Sequence, residues 1–368
     1  MTHPIQYFSK SYKDARSKFL EAAGTVGAEL TEYCHELSGP EGESLAVDLC
    51  WLGRRDASKL LVVLSGTHGL EGYAGSGCQL GFLSNAGNLR LPEDTAIVML
   101  HAMNPWGMAH LRRCTEDNVD LNRNFMDWSC ALPQNAAYAE VHDALCPPAL
   151  TGPQRDAADA ALKQYSQERG EHTYNLAVYS GQYSHPDGLM YGGQKSCWSR
   201  RQAERILVDI TADKVDVCLI DLHTALGPYH YGTPISFHTT DSAALARARR
   251  WFGESLMAPL DKPSGDDEEE VAQISGTLIQ CAESLVSGNL TAIALEFGTY
   301  AEERVLPTFR DEHFIWQHGM DDGDIASRVR EKLLWYFYPR NEEWTEMVWF
   351  RFDQVMRQAL GGLSSGRP

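Results

Sequence analysis

The sequence predicts an α/β fold, with a mixed, mostly parallel twisted sheet carrying helices on both faces. Three observations carry this. Short runs rich in Val, Ile and Leu recur at Lys59–Leu64, Ala96–His101, Val215–Leu222 and Thr291–Phe297, each suited to a strand buried on both sides. Helical stretches separate them, notably Tyr73–Leu83 and Ser199–Thr211, and strands alternating with helices build parallel sheets. The 368 residues, 43% of them hydrophobic, are enough for a large core, so the chain reads as a single domain over residues 1–368.

In chain order, Lys10–Leu30 has the pattern of an amphipathic helix and Ser44–Leu52 alternates like a strand, ahead of the first buried run at Lys59. The segment 127–198 holds Pro133, Pro147, Pro148 and Pro153, then a helical stretch from Gln154 to Arg169, then an aromatic, Gly-rich stretch from Tyr179 to Trp198. It reads as an insertion over one face of the sheet. The acidic run Gly265–Glu270 reads as a solvated loop or helix start. Residues 324–360 read as a C-terminal helical extension, with Trp and Phe along Trp335–Leu360 for packing.

Composition narrows the function. A net charge of -18 repels phosphate backbones and anionic lipid, which argues against nucleic-acid and membrane-surface partners. Nine cysteines without a Cys-x-x-Cys pair fit reduced thiols better than a disulfide framework or a Cys-rich zinc site. The start Met1–Phe8 lacks a basic and apolar leader pattern, and no apolar run reaches membrane-spanning length. The expectation is a soluble, cytoplasmic protein.

The chemistry begins at Ser65-Gly66-Thr67-His68-Gly69-Leu70-Glu71-Gly72. A His and a carboxylate three residues apart, at a strand end, can grip one zinc ion. A catalytic zinc site takes three protein ligands and leaves one position for water. In parallel sheets ligands bind beyond the carboxyl ends of strands, and His223 directly follows the run Val215–Leu222. Alone, such a His is usually structural; paired with the first motif it becomes the candidate third ligand. Glu296 sits near the end of the apolar run Thr291–Phe297. A carboxylate there is costly unless paired or functional, and apolar surroundings lift its pKa toward that of a general base. The loop after Ala96–His101 carries Asn104-Pro105-Trp106-Gly107, then Arg112-Arg113 and Asp120-Leu121-Asn122-Arg123-Asn124-Phe125. Arginine suits a developing oxyanion or a carboxylate, Asn122 with Arg123 can hold a substrate carboxylate, and Asp120 can accept the outer N–H of His68.

This ordered set resembles the zinc carboxypeptidases related to carboxypeptidase A, over roughly residues 59 to 300. Gly181-Gln182-Tyr183, Tyr191-Gly192-Gly193 and Asp221-Leu222-His223-Thr224 look like one uncharacterised branch of that superfamily, a domain of unknown function. The resemblance implies one zinc ion per chain, held by His68, Glu71 and His223. It also implies Glu296 as general base, Arg113 as oxyanion stabiliser, Asn122 and Arg123 on a substrate carboxylate, and Asp120 behind His68. Arg112 joins the substrate-contacting group, and the choice between Arg112 and Arg113 for the oxyanion stays open. One departure stands out. The segment Ile274–Gln280, where these enzymes carry a lid tyrosine, has none; Tyr183, Tyr191, Tyr229 and Tyr231 are the alternatives.

Three functions follow as expectations. The first is a zinc hydrolase cutting an amide next to a free carboxylate in a small peptide. The second is a deacylase of small N-acyl amino acids, since aspartoacylase and succinylglutamate desuccinylase share similar His-Gly-x-Glu and Asp-Leu-His-Thr strings. The third, from another class, is a non-catalytic metal-binding protein.

Overall fold

Four apolar strands stand side by side in parallel at the centre of a seven-stranded sheet. The computed structural model describes residues 3–260, 274–300, 305–320 and 323–365; the acidic run Gly265–Glu270 lies outside them. The strands are β1 (Glu29–Ser38), β2 (Ser44–Leu52), β3 (Lys59–Ser65), β4 (Thr95–His101), β5 (Asp216–Ala225), β6 (Gly232–Ile235) and β7 (Asn289–Gly298). Their order is β1-β2-β4-β3-β5-β7-β6. The pairs β4–β3, β3–β5 and β5–β7 are parallel, while β1, β2 and β6 extend the sheet antiparallel at its two sides.

Each central strand feeds two cores, as the period of two requires. Leu61, Val63, Cys218, Ile220, Ile293 and Leu295 face one side. There they meet α1 (Tyr12–Thr25), α2 (Gly72–Asn85), α8 (Ala243–Phe252) and α12 (Glu342–Ser365). Leu60, Val62, Val217, Leu219, Ala292 and Ala294 face the other, against α7 (Trp198–Thr211) and α9 (Leu278–Leu285). Helices therefore cover both faces.

Three expectations are revised. The helix expected over Lys10–Leu30 stops at Thr25, and the chain turns through Gly27 at φ +70° into β1. β1 carries no apolar alternation of its own and is a strand because it pairs with β2. The segment 127–198 contributes α4 (Ala136–Leu145), α5 (Pro153–Arg169) and α6 (Glu171–Tyr179). These do not lie on a sheet face. Tyr138, Val141, Leu162 and Val178 cluster with Leu70 from the His68 loop. They also meet α10 (Val305–Gln317) and α11 (Asp324–Phe337), so the insertion sits against the carboxyl edge of the sheet. Finally, the C-terminal helices divide their duties. α11 joins that third cluster, whereas α12 buries Trp344, Val348, Phe352, Val355, Ala359 and Leu363 in the main core. Among the described residues, no helix is long and apolar enough to cross a membrane.

Candidate metal centre

The two segments that frame the centre are loops pressed together. After β3 the chain runs through Gly66 to His68, makes one 3-10 turn at Gly69–Glu71 and enters α2. Gly69 N–H and Leu70 N–H donate to the carbonyls of Arg113 and Arg112 at 3.1 and 2.9 Å. A Cβ on Gly69 would lie 2.2 Å from the carbonyl carbon of Gly107, so only glycine permits this approach. Gly107 belongs to α3 (Pro105–Ala109), capped by Asn104 Oδ1, which accepts from Gly107 N–H at 2.9 Å. The Asn-Pro-x-Gly string is thus the floor on which the His68 loop rests.

His68, Glu71 and His223 bring one ligand atom each to within 4.8 Å of one another, all buried. This is the one such His, Cys, Asp or Glu group among the described residues. His68 Nδ1 lies 3.0 Å from Glu71 Oε1 and His223 Nδ1 lies 3.1 Å from Glu71 Oε2. Both rings have their outer nitrogen against a carboxylate: His68 Nε2 is 3.1 Å from Asp120 Oδ1, and His223 Nε2 is 2.8 Å from Asp221 Oδ2. An outer N–H donated to a carboxylate leaves the Nδ1 lone pair pointing inward. His68 Nδ1 has no hydrogen-bond partner. Two inward ring nitrogens facing a carboxylate need a proton or a metal cation between them, and two imidazoles with one carboxylate are a donor set that zinc accepts. The donor set therefore fits the metal that the sequence implies.

The electrostatics agree. Burial opposes the charge of Glu71, but His68, His223 and Arg113 together hold its carboxyl well below the usual range. Burial likewise opposes charge on His223, yet Asp221 and Glu71 push its pKa well above the ordinary value, so the cluster favours a positive charge at its centre. Burial also disfavours the charge of Asp120, and Arg113, His68 and Arg123 overcome it.

Glu296 pairs across the ladder with His223. It keeps partial contact with solvent, while its Oε2 is enclosed without a hydrogen-bond partner. Burial, with Glu71 adding to it and His223 opposing, raises its carboxyl to about 7.

The two adjacent arginines part ways. Arg113 Nη1 donates to Glu71 Oε1 at 2.8 Å and its Nε to Asp120 Oδ2 at 3.2 Å, so it belongs to the centre. Arg112, expected among the substrate contacts, does not. It is buried away from the cluster, donating to Glu312 Oε1 at 2.7 Å and Asn118 Oδ1 at 3.2 Å, with its guanidinium over Trp316. Successive residues leave the backbone in different directions, and a carboxylate from α10 captures this one.

Asn122 Oδ1 accepts from Leu278 N–H at 2.9 Å, which fixes the amide and turns its Nδ2 donor away from that contact. Arg123 donates to the carbonyls of Ser180, Asn122 and Tyr179 at 3.2, 2.9 and 3.0 Å. A guanidinium has five N–H groups, so two remain beyond these contacts with described residues. Of the tyrosines considered for the lid, Tyr183 donates its hydroxyl to Arg123 O at 2.7 Å and Tyr191 is buried. Tyr229 accepts from Asn341 Nδ2 at 2.6 Å, and Tyr231 is exposed beside Arg351.

Two groups at the centre escaped the sequence reading. Thr224 N–H donates to Glu71 Oε2 at 3.1 Å, a backbone contact no side-chain pattern reveals. Asp221 had a signal: in Asp-x-His on a strand, both side chains point to the same face.

The sequence matches, over residues 8–351, a family described as protein of unknown function (DUF2817). No curated protein matches it. Among solved structures, it is similar to carboxypeptidase A from Helicoverpa armigera, at 12% identity and a TM-score of 0.55, covering 97% of this chain and 74% of that one. Bovine thrombin-activatable fibrinolysis inhibitor, in complex with tick carboxypeptidase inhibitor, aligns at 12% identity and a TM-score of 0.45, over 89% of this chain and 99% of that one. Succinylglutamate desuccinylase from Chromobacterium violaceum aligns at 15% identity and a TM-score of 0.36, over 88% and 74%. The first of these likenesses is one of fold.

Proposed function

The chain belongs to the DUF2817 family, and we propose that it is a zinc-dependent hydrolase cleaving an amide bond next to a free carboxylate. One observation carries the reading: two imidazoles and Glu71 converge, Nδ1 inward, beside a glutamate whose Oε2 is enclosed and unpartnered. His68, Glu71 and His223 would hold the ion. When bound, zinc supplies Lewis acidity, lowering the pKa of water and polarising a carbonyl.

The remaining steps fall to the chain's own groups. Glu296, raised to about 7, accepts a proton from the attacking water and returns it to the leaving amine. Arg113, held by Glu71 and Asp120, offers positive charge to the oxyanion that develops on the scissile carbonyl. Asn122 Nδ2 and the remaining Arg123 N–H groups bind the substrate carboxylate and set the register of cleavage. Asp120 orients His68.

The test is a substrate screen on the zinc-loaded full chain, with C-terminal peptides and N-acyl amino acids in parallel and Glu296→Gln as the control. Release of a C-terminal amino acid, lost in the variant, supports the peptidase reading. Turnover confined to N-acyl amino acids moves the assignment to the deacylase class. Turnover that survives intact in Glu296→Gln removes the general-base role, and a chain that binds no zinc removes the metal centre.

A further inference from the structure

Asp120 is not the only carboxylate behind a metal-facing imidazole. Asp221, two residues before His223 on β5, is 1% exposed and spends both oxygens inside the site. Its Oδ2 lies 2.8 Å from His223 Nε2, and its Oδ1 accepts from Thr67 Oγ1 at 2.7 Å. Thr67, itself fully buried, is the residue before His68. A buried carboxylate so close to an apolar strand is expensive unless its charge is used. Here one oxygen is tied to each of the two segments that supply the imidazoles. The strand register explains the reach. Leu64 of β3 pairs with Asp221 of β5, so the loop leaving β3 begins beside Asp221 and brings Thr67 within hydrogen-bond reach of it.

On the reading that this cluster binds zinc, we infer that Asp221 is a positioning residue for the third ligand, and that Thr67 holds it in place. Asp221 fixes the ring orientation and tautomer of His223 so that Nδ1 faces Glu71. The Thr67 hydroxyl fixes the rotamer of Asp221 and couples the position of His223 to that of the His68 loop. The arrangement on each imidazole is then the same, with Asp120 behind His68 and Asp221 behind His223. The difference is that Asp221 is braced by a hydroxyl from the opposite ligand-bearing segment, whereas Asp120 is braced by Arg113 and the Asn122 N–H.

The experiment measures zinc affinity of the full chain by competition with a chromophoric chelator, together with the visible absorption of the cobalt-substituted protein. The variants are Asp221→Asn, Asp221→Ala, Thr67→Val and Thr67→Ser, with circular dichroism to verify folding. Outer partners of ligating histidines govern affinity by about 10–100-fold. The expected result is a loss in that range for both Asp221 variants, with an altered cobalt spectrum that reports a changed ligand geometry. Thr67→Val should give a smaller loss in the same direction, restored by Thr67→Ser, which keeps the hydroxyl. If Asp221→Ala fails to fold, the Asp221→Asn variant and the Thr67 pair still decide the matter. Wild-type zinc binding with Asp221→Asn and Thr67→Val both within about twofold of it, and unchanged cobalt spectra, would overturn the positioning role alone. A wild-type chain that takes up no stoichiometric zinc would instead overturn the metal-centre reading and this inference with it.

Discussion

Glu71, just beyond β3, and Glu296, near the end of β7, lie on either side of β5 at one edge of the sheet, and their surroundings set their charges in opposite directions. Glu71 is buried among donors: Arg113 and the Thr224 N–H bind its oxygens, and both histidines lie against it. It is held ionised, well below the usual carboxyl range. Glu296 has burial that the nearby positive charges only partly offset, one oxygen enclosed and unpartnered, and a carboxyl raised to about 7. Environments that push two carboxylate pKa values apart suit them to different tasks; in the proposed mechanism Glu71, held charged, is a metal ligand and Glu296 moves protons.

The largest effect expected from this division is catalytic. Glu296→Gln should lower kcat/KM by about 10²–10⁴-fold while zinc stoichiometry, read by metal analysis, stays at the wild-type value. A variant that loses both together would show that Glu296 also serves as a ligand and would dissolve the distinction.

The arginines sharpen it next. Arg112→Ala strands Glu312 in the interior and should cost about 3–5 kcal/mol of stability in denaturant unfolding, with kcat of the surviving folded protein near wild type. Arg113→Ala should lower kcat of the folded protein by about 10²–10³-fold. The reverse pattern would return Arg112 to the site.

Glu71→Gln should weaken zinc binding beyond the about 10–100-fold typical of an outer partner, because a ligand itself is lost. Chelator competition measures it.

The smallest effects are on pH. A general base works when ionised, so kcat/KM should rise with pH through the Glu296 pKa. With the chain's own charges this lies at about 7, and a dication draws it lower. Profiles of wild type and Arg113→Ala locate the limb. In the zinc-free protein the two glutamates should pull stability in opposite directions. The depressed Glu71 stabilises the fold above the ordinary carboxyl pKa, and this is lost as the pH falls below it. The raised Glu296 favours the fold when protonated, and that contribution is lost as pH rises from the ordinary carboxyl pKa through about 7. Zinc-free Glu296→Gln should therefore be more stable than wild type at pH 8, by on the order of 1 kcal/mol given its partial exposure, with the difference vanishing near pH 4.

Much of this was legible beforehand. The four parallel strands announce themselves as short apolar runs, because a strand buried on both faces must be apolar at every position. His68, Glu71, His223 and Glu296 can be grouped from the sequence, since parallel topology gathers strand ends at one edge. Local periodicity fails where partners decide. β1 has no apolar alternation to read, and its pairing with β2 makes it a strand. The helices of 136–179 carry an ordinary amphipathic pattern that does not say which part of the molecule they cover.

The sequence by itself determined the four parallel central strands and singled out His68, Glu71, His223 and Glu296 as candidates at their carboxyl ends, because each follows from residue type and position along one strand or turn. The tertiary structure alone decided which of Arg112 and Arg113 meets the centre, since that depends on Glu312 some 200 residues away. It alone joined Thr67 to Asp221 across 154 residues. It alone left one glutamate surrounded by donors and the other with an enclosed, unpartnered oxygen. A charge or a hydrogen bond is set by what lies within a few ångströms in space, and distance along the chain does not encode that.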